Sequence, residues 1–269
     1  MKVFPVLKEL FFEALFPRVC PVCETILPLP RGWAKELSDK TCSNSLSPDL
    51  LKYYSSMLLC EKCLAEITFV SSPSCCICSR PLDEEEGPYC RHCRKEAFLF
   101  DRGAALMVHD APAKKIIYDL KFRNKKDNAL WLGFALALRF APLLTEWNSR
   151  VLVPVPLHRK RLRQRGFNQT ELIAECLSFW LEKLYGISLP IDSEFLFRTE
   201  NTLPQRTLSS AERGRNVRSA FSAAREKSYR RVVLVDDIFT SGSTLNACAK
   251  VLKEQGTEQV CFLTASIVP

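Results

Sequence analysis

Apolar and polar positions fall into two regimes along this chain. In the C-terminal part, short unbroken apolar runs alternate with longer stretches of helical period. The runs Val151–Val155, Val232–Val235 and Val260–Ile267 read as strands, and Ala104–Val108 is a further strand-like run. The helical stretches are Ala113–Phe122, Ala129–Leu144, Thr170–Tyr185 and Ser243–Gln255. Strands apolar on both faces, alternating with helices, predict a parallel sheet covered on two sides. Ligands of such sheets bind beyond the carboxyl ends of the strands.

The N-terminal part is patterned differently. Leu7, Leu10, Phe11, Ala14 and Leu15 keep a helical period, which predicts a short amphipathic helix packed on the protein. Lys8, Glu9 and Glu13 interrupt the apolar run, so it lacks the core of a secretory signal. No segment is expected to span a membrane, and a cytoplasmic location is the expectation. The pattern changes near Phe98, which predicts two units, 1–97 and 98–269.

Cysteine usage changes the picture of the first unit. Of the 13 cysteines, ten lie between Cys20 and Cys93, and eight of those form C-x-x-C pairs. The pairs are Cys20/Cys23, Cys60/Cys63, Cys75/Cys78 and Cys90/Cys93. Each pair can place two thiolates on one tight knuckle, and two knuckles complete a tetrahedral Zn²⁺ site. Four pairs make two sites. Sequential pairing and a cross-braced arrangement both satisfy the spacing. Four thiolates leave no open position for water, so the expected metals are structural. The remaining Cys176, Cys248 and Cys261 stand singly among apolar residues and read as small buried hydrophobes.

Charge separates the same two units. Residues 1–100 hold 12 Lys+Arg against 13 Asp+Glu, a net of −1, and residues 101–269 hold 26 against 17, a net of +9. The basic bias of the second unit suits phosphorylated ligands or nucleic acid.

Two loops give that bias a chemistry. The first follows Val232–Val235, where the strand runs into Asp236 and Asp237 and then Thr240, Ser241, Gly242, Ser243 and Thr244 open a helix. Adjacent carboxylates accept hydrogen bonds from vicinal ribose hydroxyls. Small hydroxyl residues and a glycine let backbone N–H groups wrap a phosphate at a helix N-terminus. The same acids, Asp236 and Asp237, are the expected catalytic residues, since they stabilise positive charge developing on the sugar ring. The second loop follows Val151–Val155. Arg159, Lys160, Arg161, Arg163 and Arg165 crowd seven positions there. Arg159, Arg161 and Arg165 are the expected diphosphate ligands, because guanidinium binds phosphate bidentately. Phe167 and Phe239 lie near these motifs; they could stack on a base or pack in the core, and core packing is the expectation.

The segment Val232–Thr244 closely resembles the phosphoribosyl-pyrophosphate (PRPP) motif of type I phosphoribosyltransferases, with Ser241 where a second Thr is common. Together with VPVPLHRKRLRQRGFNQ from Val153, LKF at Leu120–Phe122 and NTLPQRTLSSAERGRNVRSAF at Asn201–Phe221, the chain resembles the ComF family of bacterial competence-associated proteins. The four cysteine pairs match that family's N-terminal double zinc ribbon, and the long insertion between Cys23 and Cys60 departs from it. The resemblance implies an α/β type I phosphoribosyltransferase domain behind a small double zinc-ribbon module. It implies a lid around Asn201–Asn216, with Gln205, Arg206, Arg213 and Asn216 closing over PRPP and Mg²⁺. Two functions follow from it. One is a Mg²⁺-dependent phosphoribosyltransferase. The other is a non-catalytic competence factor that uses the PRPP site for sensing, binds single-stranded DNA or recruits a competence helicase.

Overall fold

The computed structural model describes residues 19–27, 58–199 and 220–269. The expected N-terminal helix and the lid residues Gln205, Arg206, Arg213 and Asn216 lie outside them. The strands are β1 (Arg102–Val108), β2 (Val151–Pro154), β3 (Leu196–Arg198), β4 (Phe221–Ala223), β5 (Arg231–Phe239) and β6 (Gln259–Ile267). The helices are α1 (Glu61–Ala65), α2 (Arg91–Lys95), α3 (Ala111–Phe122), α4 (Asp127–Glu146), α5 (Arg159–Arg165), α6 (Gln169–Tyr185) and α7 (Ser243–Glu254).

Four strands form one sheet in the order β1-β6-β5-β2, all parallel. β3 and β4 make a separate antiparallel pair that periodicity did not reveal, because three-residue strands carry no readable period. The sheet is covered on both sides, as the apolar runs require. Val233, Val235, Cys261 and Leu263 pack with α3, α4 and α6 on one face. Val232, Leu234, Val260 and Phe262 pack with α7 and the β3–β4 pair on the other.

Local sequence fixes where the elements start and stop. Asp110 caps α3 by accepting from Ala113 N–H at 3.1 Å. Asn168 caps α6 by accepting from Thr170 N–H at 3.3 Å, and Gly186 ends it in the left-handed conformation. Inside α4, Pro142 has no N–H to give the carbonyl of Leu138, and the Tyr185 hydroxyl donates to that oxygen at 3.4 Å instead.

α4 is 20 residues long and apolar enough, by length and composition, to cross a membrane, contrary to the expectation that no segment would be. Its apolarity has another cause. Trp131, Leu132, Phe134, Leu136 and Leu138 are all buried in the fold, so the helix is apolar nearly all round because it is the central core helix.

The cysteine-bearing segment is packed onto this sheet. Thr68–Val70 pairs with the outer edge of β1: Val70 N–H donates to Leu106 O at 3.0 Å and Val108 N–H to Thr68 O at 2.8 Å. An edge strand is thereby covered. Leu59, Cys63, Leu64 and Phe69 join the core on the α3/α4 face. Cys75, Cys78, Cys90, Cys93 and Phe100 join the core on the α7 face. Both cores thus take buried side chains from either side of Phe98.

α4 and α6 approach each other closely at Gly133. A Cβ placed on Gly133 would sit 2.4 Å from Cys176 Cβ and 2.6 Å from backbone atoms of Cys176 and Leu177. Gly133→Val should therefore destabilise the fold by about 1–3 kcal/mol or more, the range for overpacking. Urea unfolding reads this as a lower midpoint at constant slope. An unchanged midpoint would contradict the close packing of these helices.

Candidate functional site

β1, β2 and β5 deliver their following loops to the same end of the sheet. β5 is longer than its apolar run predicts. It continues through Asp236 and Asp237 to Phe239, with Asp236 paired to Thr264 and Phe239 to Ile267. Alternation along the strand therefore separates the two carboxylates. Asp237 belongs to the face of Val233 and Val235, and Asp236 to the face of Val232 and Leu234.

Their environments differ accordingly. Asp237 is 5% exposed and doubly paired. Lys121 Nζ, at the end of α3, meets its Oδ1 at 2.7 Å, and Gln169 Nε2, at the start of α6, donates to its Oδ2 at 2.6 Å. Arg165 donates in turn to Gln169 Oε1. Asp236 accepts only the N–H of Asp237 within this group, at 2.8 Å. Burial, and then the charge of Asp237, push the Asp236 carboxyl up to about 7.

Thr240, Ser241 and Gly242 form the turn into α7. Gly242 takes φ 73°, and a Cβ there would lie 2.9 Å from Phe239 Cζ, so the glycine is required by both conformation and space. Ser243 and Thr244 form the first turn of α7, and Ser241 Oγ donates to Ser243 Oγ at 3.0 Å.

The basic cluster is a helix, α5, not an open loop. Arg159, Arg161 and Arg163 are exposed on it, whereas Arg165 is half-buried and its guanidinium stacks 5.1 Å from the Phe122 ring centre. A cavity of about 810 Å³ opens between α5 and the end of α3, lined by Lys121, Phe122, Lys126, Arg161, Arg165 and Phe167. The fold thus brings Arg161 and Arg165 to one cavity with Lys121, beside Asp237. Arg159 points to solvent at the start of the helix. Phe239 is buried in the core as expected, but Phe167 lines the cavity, with Lys126 Nζ 5.0 Å from its ring centre.

Lys121 and Gln169 carry the site geometry, yet composition and charge gave no reason to single them out. Their signal was positional: both sit inside the LKF and RGFNQ segments, beside the motif residues.

The eight paired cysteines form two groups, Cys20/Cys23/Cys60/Cys63 and Cys75/Cys78/Cys90/Cys93, with the sulfurs of each group within 4.8 Å of one another. Pairing is sequential. No disulfide joins them: Cys23 and Cys60 sulfurs are 3.5 Å apart, and those of Cys78 and Cys90 are 3.7 Å apart. A tetrahedral zinc with bonds of about 2.3 Å requires sulfur separations of about 3.8 Å. The donor sets therefore fit Zn²⁺. Backbone N–H groups of Cys63 and Cys93 reach the sulfurs of Cys60 and Cys90, both at 3.4 Å. Four thiols cannot ionise together unaided. A hydrogen bond from Cys78 pushes Cys75 down to about 4, and the same contact, with burial, raises Cys78. A divalent cation at the centre would compensate for complete ionisation. Of the isolated cysteines, Cys248 and Cys261 are buried in the core and Cys176 is half-buried against it.

Purified protein should accordingly contain about two zinc ions per chain, as eight thiolates in two such groups require. Cys78→Ser should lose one of them. Elemental analysis of anaerobically prepared protein that finds none would refute the assignment.

Residues 171–266 match the family model described as phosphoribosyl transferase domain. The chain is 34% identical over 208 residues to "Competence protein F" of Haemophilus influenzae, covering 75% of this chain and 87% of that protein. It is 30% identical over 205 residues to "DNA utilization protein YhgH" of Escherichia coli, with the same shares covered. It is 26% identical over 206 residues to "Competence protein ComFC" of Bacillus subtilis, covering 74% of this chain and 79% of that protein. With a parallel sheet flanked by helices, the phosphoribosyl transferase domain and the two four-cysteine groups, this chain belongs to the ComF family.

Proposed function

We propose that the chain binds PRPP at the carboxyl end of β5 and acts as a phosphoribosyltransferase-like protein in DNA uptake and utilization. The observation that carries this reading is the convergence of two unlike subsites at one sheet edge. One is the Asp236–Thr244 turn, and the other is the basic cavity holding Lys121, Arg161 and Arg165. In this reading the N–H groups of the Ser241–Thr244 turn take the 5-phosphate, with Thr240 at its entrance. Arg161 and Arg165 face the diphosphate, and Arg159 adds to its approach field. Asp236 meets the ribose hydroxyls. Asp237, paired with Lys121 and Gln169, lies where positive charge develops on the sugar as pyrophosphate leaves. Mg²⁺ enters with PRPP and neutralises the diphosphate. Zinc, held by the eight cysteines, is structural. The nearest functional wording comes from relatives named for competence and DNA utilization, which supports the biological setting rather than a particular acceptor.

PRPP with Mg²⁺ should raise the thermal midpoint of the protein, since a ligand selective for the native state stabilises it by mass action. Asp236→Asn should weaken binding by about 1.5–3 kcal/mol, the range for hydrogen bonds to charged groups. The acceptor strength of Asp236 depends on its ionisation. Its carboxyl titrates near 7, so it is a carboxylate above that pH and an acid below it. PRPP affinity should rise between pH 6 and pH 8, and the part of that rise due to Asp236 should vanish in Asp236→Asn. Calorimetry with identical pH profiles for both proteins would exclude Asp236 from the contact. No heat and no thermal shift at millimolar PRPP would overturn the reading as a whole.

A second reading, single-stranded DNA binding with a helicase as partner, is favoured by one feature. α5 carries five basic residues in seven positions and buries none of them fully. If DNA binds there, replacing Arg159, Arg161 and Arg163 together should reduce the salt slope by about 2, at about 0.7 per phosphate contact for a single strand. An unaltered slope would place the DNA elsewhere.

A further inference from the structure

The Thr240–Gly242 turn has a back as well as a front, and its back rests on the second cysteine group. Arg80, two residues beyond Cys78, donates from Nη2 to the carbonyl of Thr240 at 2.9 Å. His92, inside the knuckle of Cys90 and Cys93, places Nε2 2.9 Å from the carbonyl of Ser241. A carbonyl only accepts, so this nitrogen carries the proton. Phe98 closes the same side, with Cε1 3.1 Å from the position a Gly242 Cβ would take. Leu99 N–H donates to Asn246 Oδ1 at 2.6 Å, tying the first turn of α7 to the same linker.

Two consecutive carbonyls held in this way determine two N–H directions. In a planar trans peptide the C=O and the following N–H point opposite ways. Anchoring Thr240 O and Ser241 O toward the cysteine group turns the N–H groups of Ser241 and Gly242 away from it. Those are the donors a phosphate in the turn needs. Neither anchor is free-standing. His92 lies on α2, a helix of five residues, far below the length at which a helix is stable alone. Its N-cap is the sulfur of Cys90, which accepts from Cys93 N–H. Arg80 closes the other knuckle, its carbonyl accepting from Cys75 N–H at 2.8 Å. Four thiolates gathered on one cation would fix both starting points.

We propose that Arg80 and His92 are positioning residues, through which the Cys75/Cys78/Cys90/Cys93 group aims the N–H groups of Ser241 and Gly242 at the 5-phosphate of the ligand. This rests on the reading of that turn as the 5-phosphate site. The second zinc is then energetically linked to the ligand: whatever loosens the ribbon weakens phosphate binding, and the reverse holds by linkage.

The test uses the full, zinc-loaded chain. Arg80→Ala, His92→Ala and the double variant are compared with wild type, with Arg80→Lys as the conservative variant. Arg91→Ala serves as a control, because Arg91 lines the same 630 Å³ groove between ribbon and turn. Two quantities are measured: amide hydrogen exchange at Ser241 and Gly242, and the affinities for ribose 5-phosphate and for pyrophosphate with Mg²⁺. Exchange should accelerate at those two amides. Affinity for ribose 5-phosphate should fall on the order of tenfold per residue, the worth of one charge-assisted hydrogen bond. Pyrophosphate affinity should hold, Arg80→Lys should recover part of the loss, and Arg91→Ala should match wild type. Unchanged exchange in the double variant overturns the brace. Faster exchange with full ribose 5-phosphate affinity overturns its positioning role, as does an equal loss in Arg91→Ala. Should the wild type bind neither ribose 5-phosphate nor PRPP, the ligand assignment fails, and the exchange data still decide the brace.

Discussion

A carboxylate buried at the end of an apolar strand is the constraint around which the rest of this site is arranged. Asp237 is withdrawn from water, and an ionised group there is tolerated only with close partners. Lys121 and Gln169 supply them from two different helices, α3 and α6, on one face of the sheet. Removing Lys121 would leave charge uncompensated in the interior, where breaking one side of a buried pair costs about 3–5 kcal/mol, and removing Gln169 would leave a buried carboxylate oxygen without its donor. The pairing therefore fixes the end of α3 and the start of α6 against β5. Lys121 is also a wall of the basic cavity, and Arg165 is held there through Gln169. One buried charge thus sets the register of three elements and the shape of the cavity beside them.

The sheet and its large helices were legible because burial on both faces leaves unbroken apolar runs, and long helices repeat their period several times. Val260–Ile267 became β6 with one residue added, and Thr170–Tyr185 became α6 with one residue added. The end of β5 was not legible. Asp236 and Asp237 look like a strand terminus by composition, but backbone pairing to Thr264 and Ser266 continues the ladder past them. What pays for two acids inside a strand is a lysine 116 residues away in sequence, and no local pattern can announce that. The eight cysteines were legible as ligands because their spacing encodes a knuckle. Sequential pairing became decidable only once sulfur positions were known. Arg80 and His92 left no signal beyond lying near ligand cysteines, since their role is defined by carbonyls that every residue possesses.

The two cysteine groups do different mechanical work. The first is joined to the α3/α4 face, and Glu24 beside Cys23 meets Lys125 at 2.6 Å. Lys125 also lies 3.5 Å from the buried Asp119, which Lys115 approaches at 2.8 Å. That group secures the helices that present Lys121. The second is joined to the opposite face and reaches the Thr240–Gly242 turn directly. Between them, the Thr68–Val70 segment covers the open edge of β1. The ribbons are placed so that each supports one of the two subsites that the ligand reading requires.

Asp236 and Asp237 are neighbours in sequence, yet their surroundings drive their chemistry apart. Asp237 is held at both oxygens by Lys121 and Gln169, whereas Asp236, among the described residues, accepts the N–H of Asp237 alone and its carboxyl is pushed up to about 7 by burial and the charge of Asp237. Pairs of acids separated in this way commonly divide their roles. Recognition of a ribose hydroxyl survives protonation in part, because a carboxylic acid keeps one acceptor oxygen. The charge that Asp236 adds to that of the adjacent Asp237 beside the developing cation does not survive it, because that contribution requires the net negative charge itself. In an enzyme, acidification through pH 7 must therefore suppress turnover more steeply than PRPP binding. In a protein that only senses the ligand, there is no second, steeper dependence to find. The protonation of one strand residue thus separates the two functions that the fold, shared by both, leaves together.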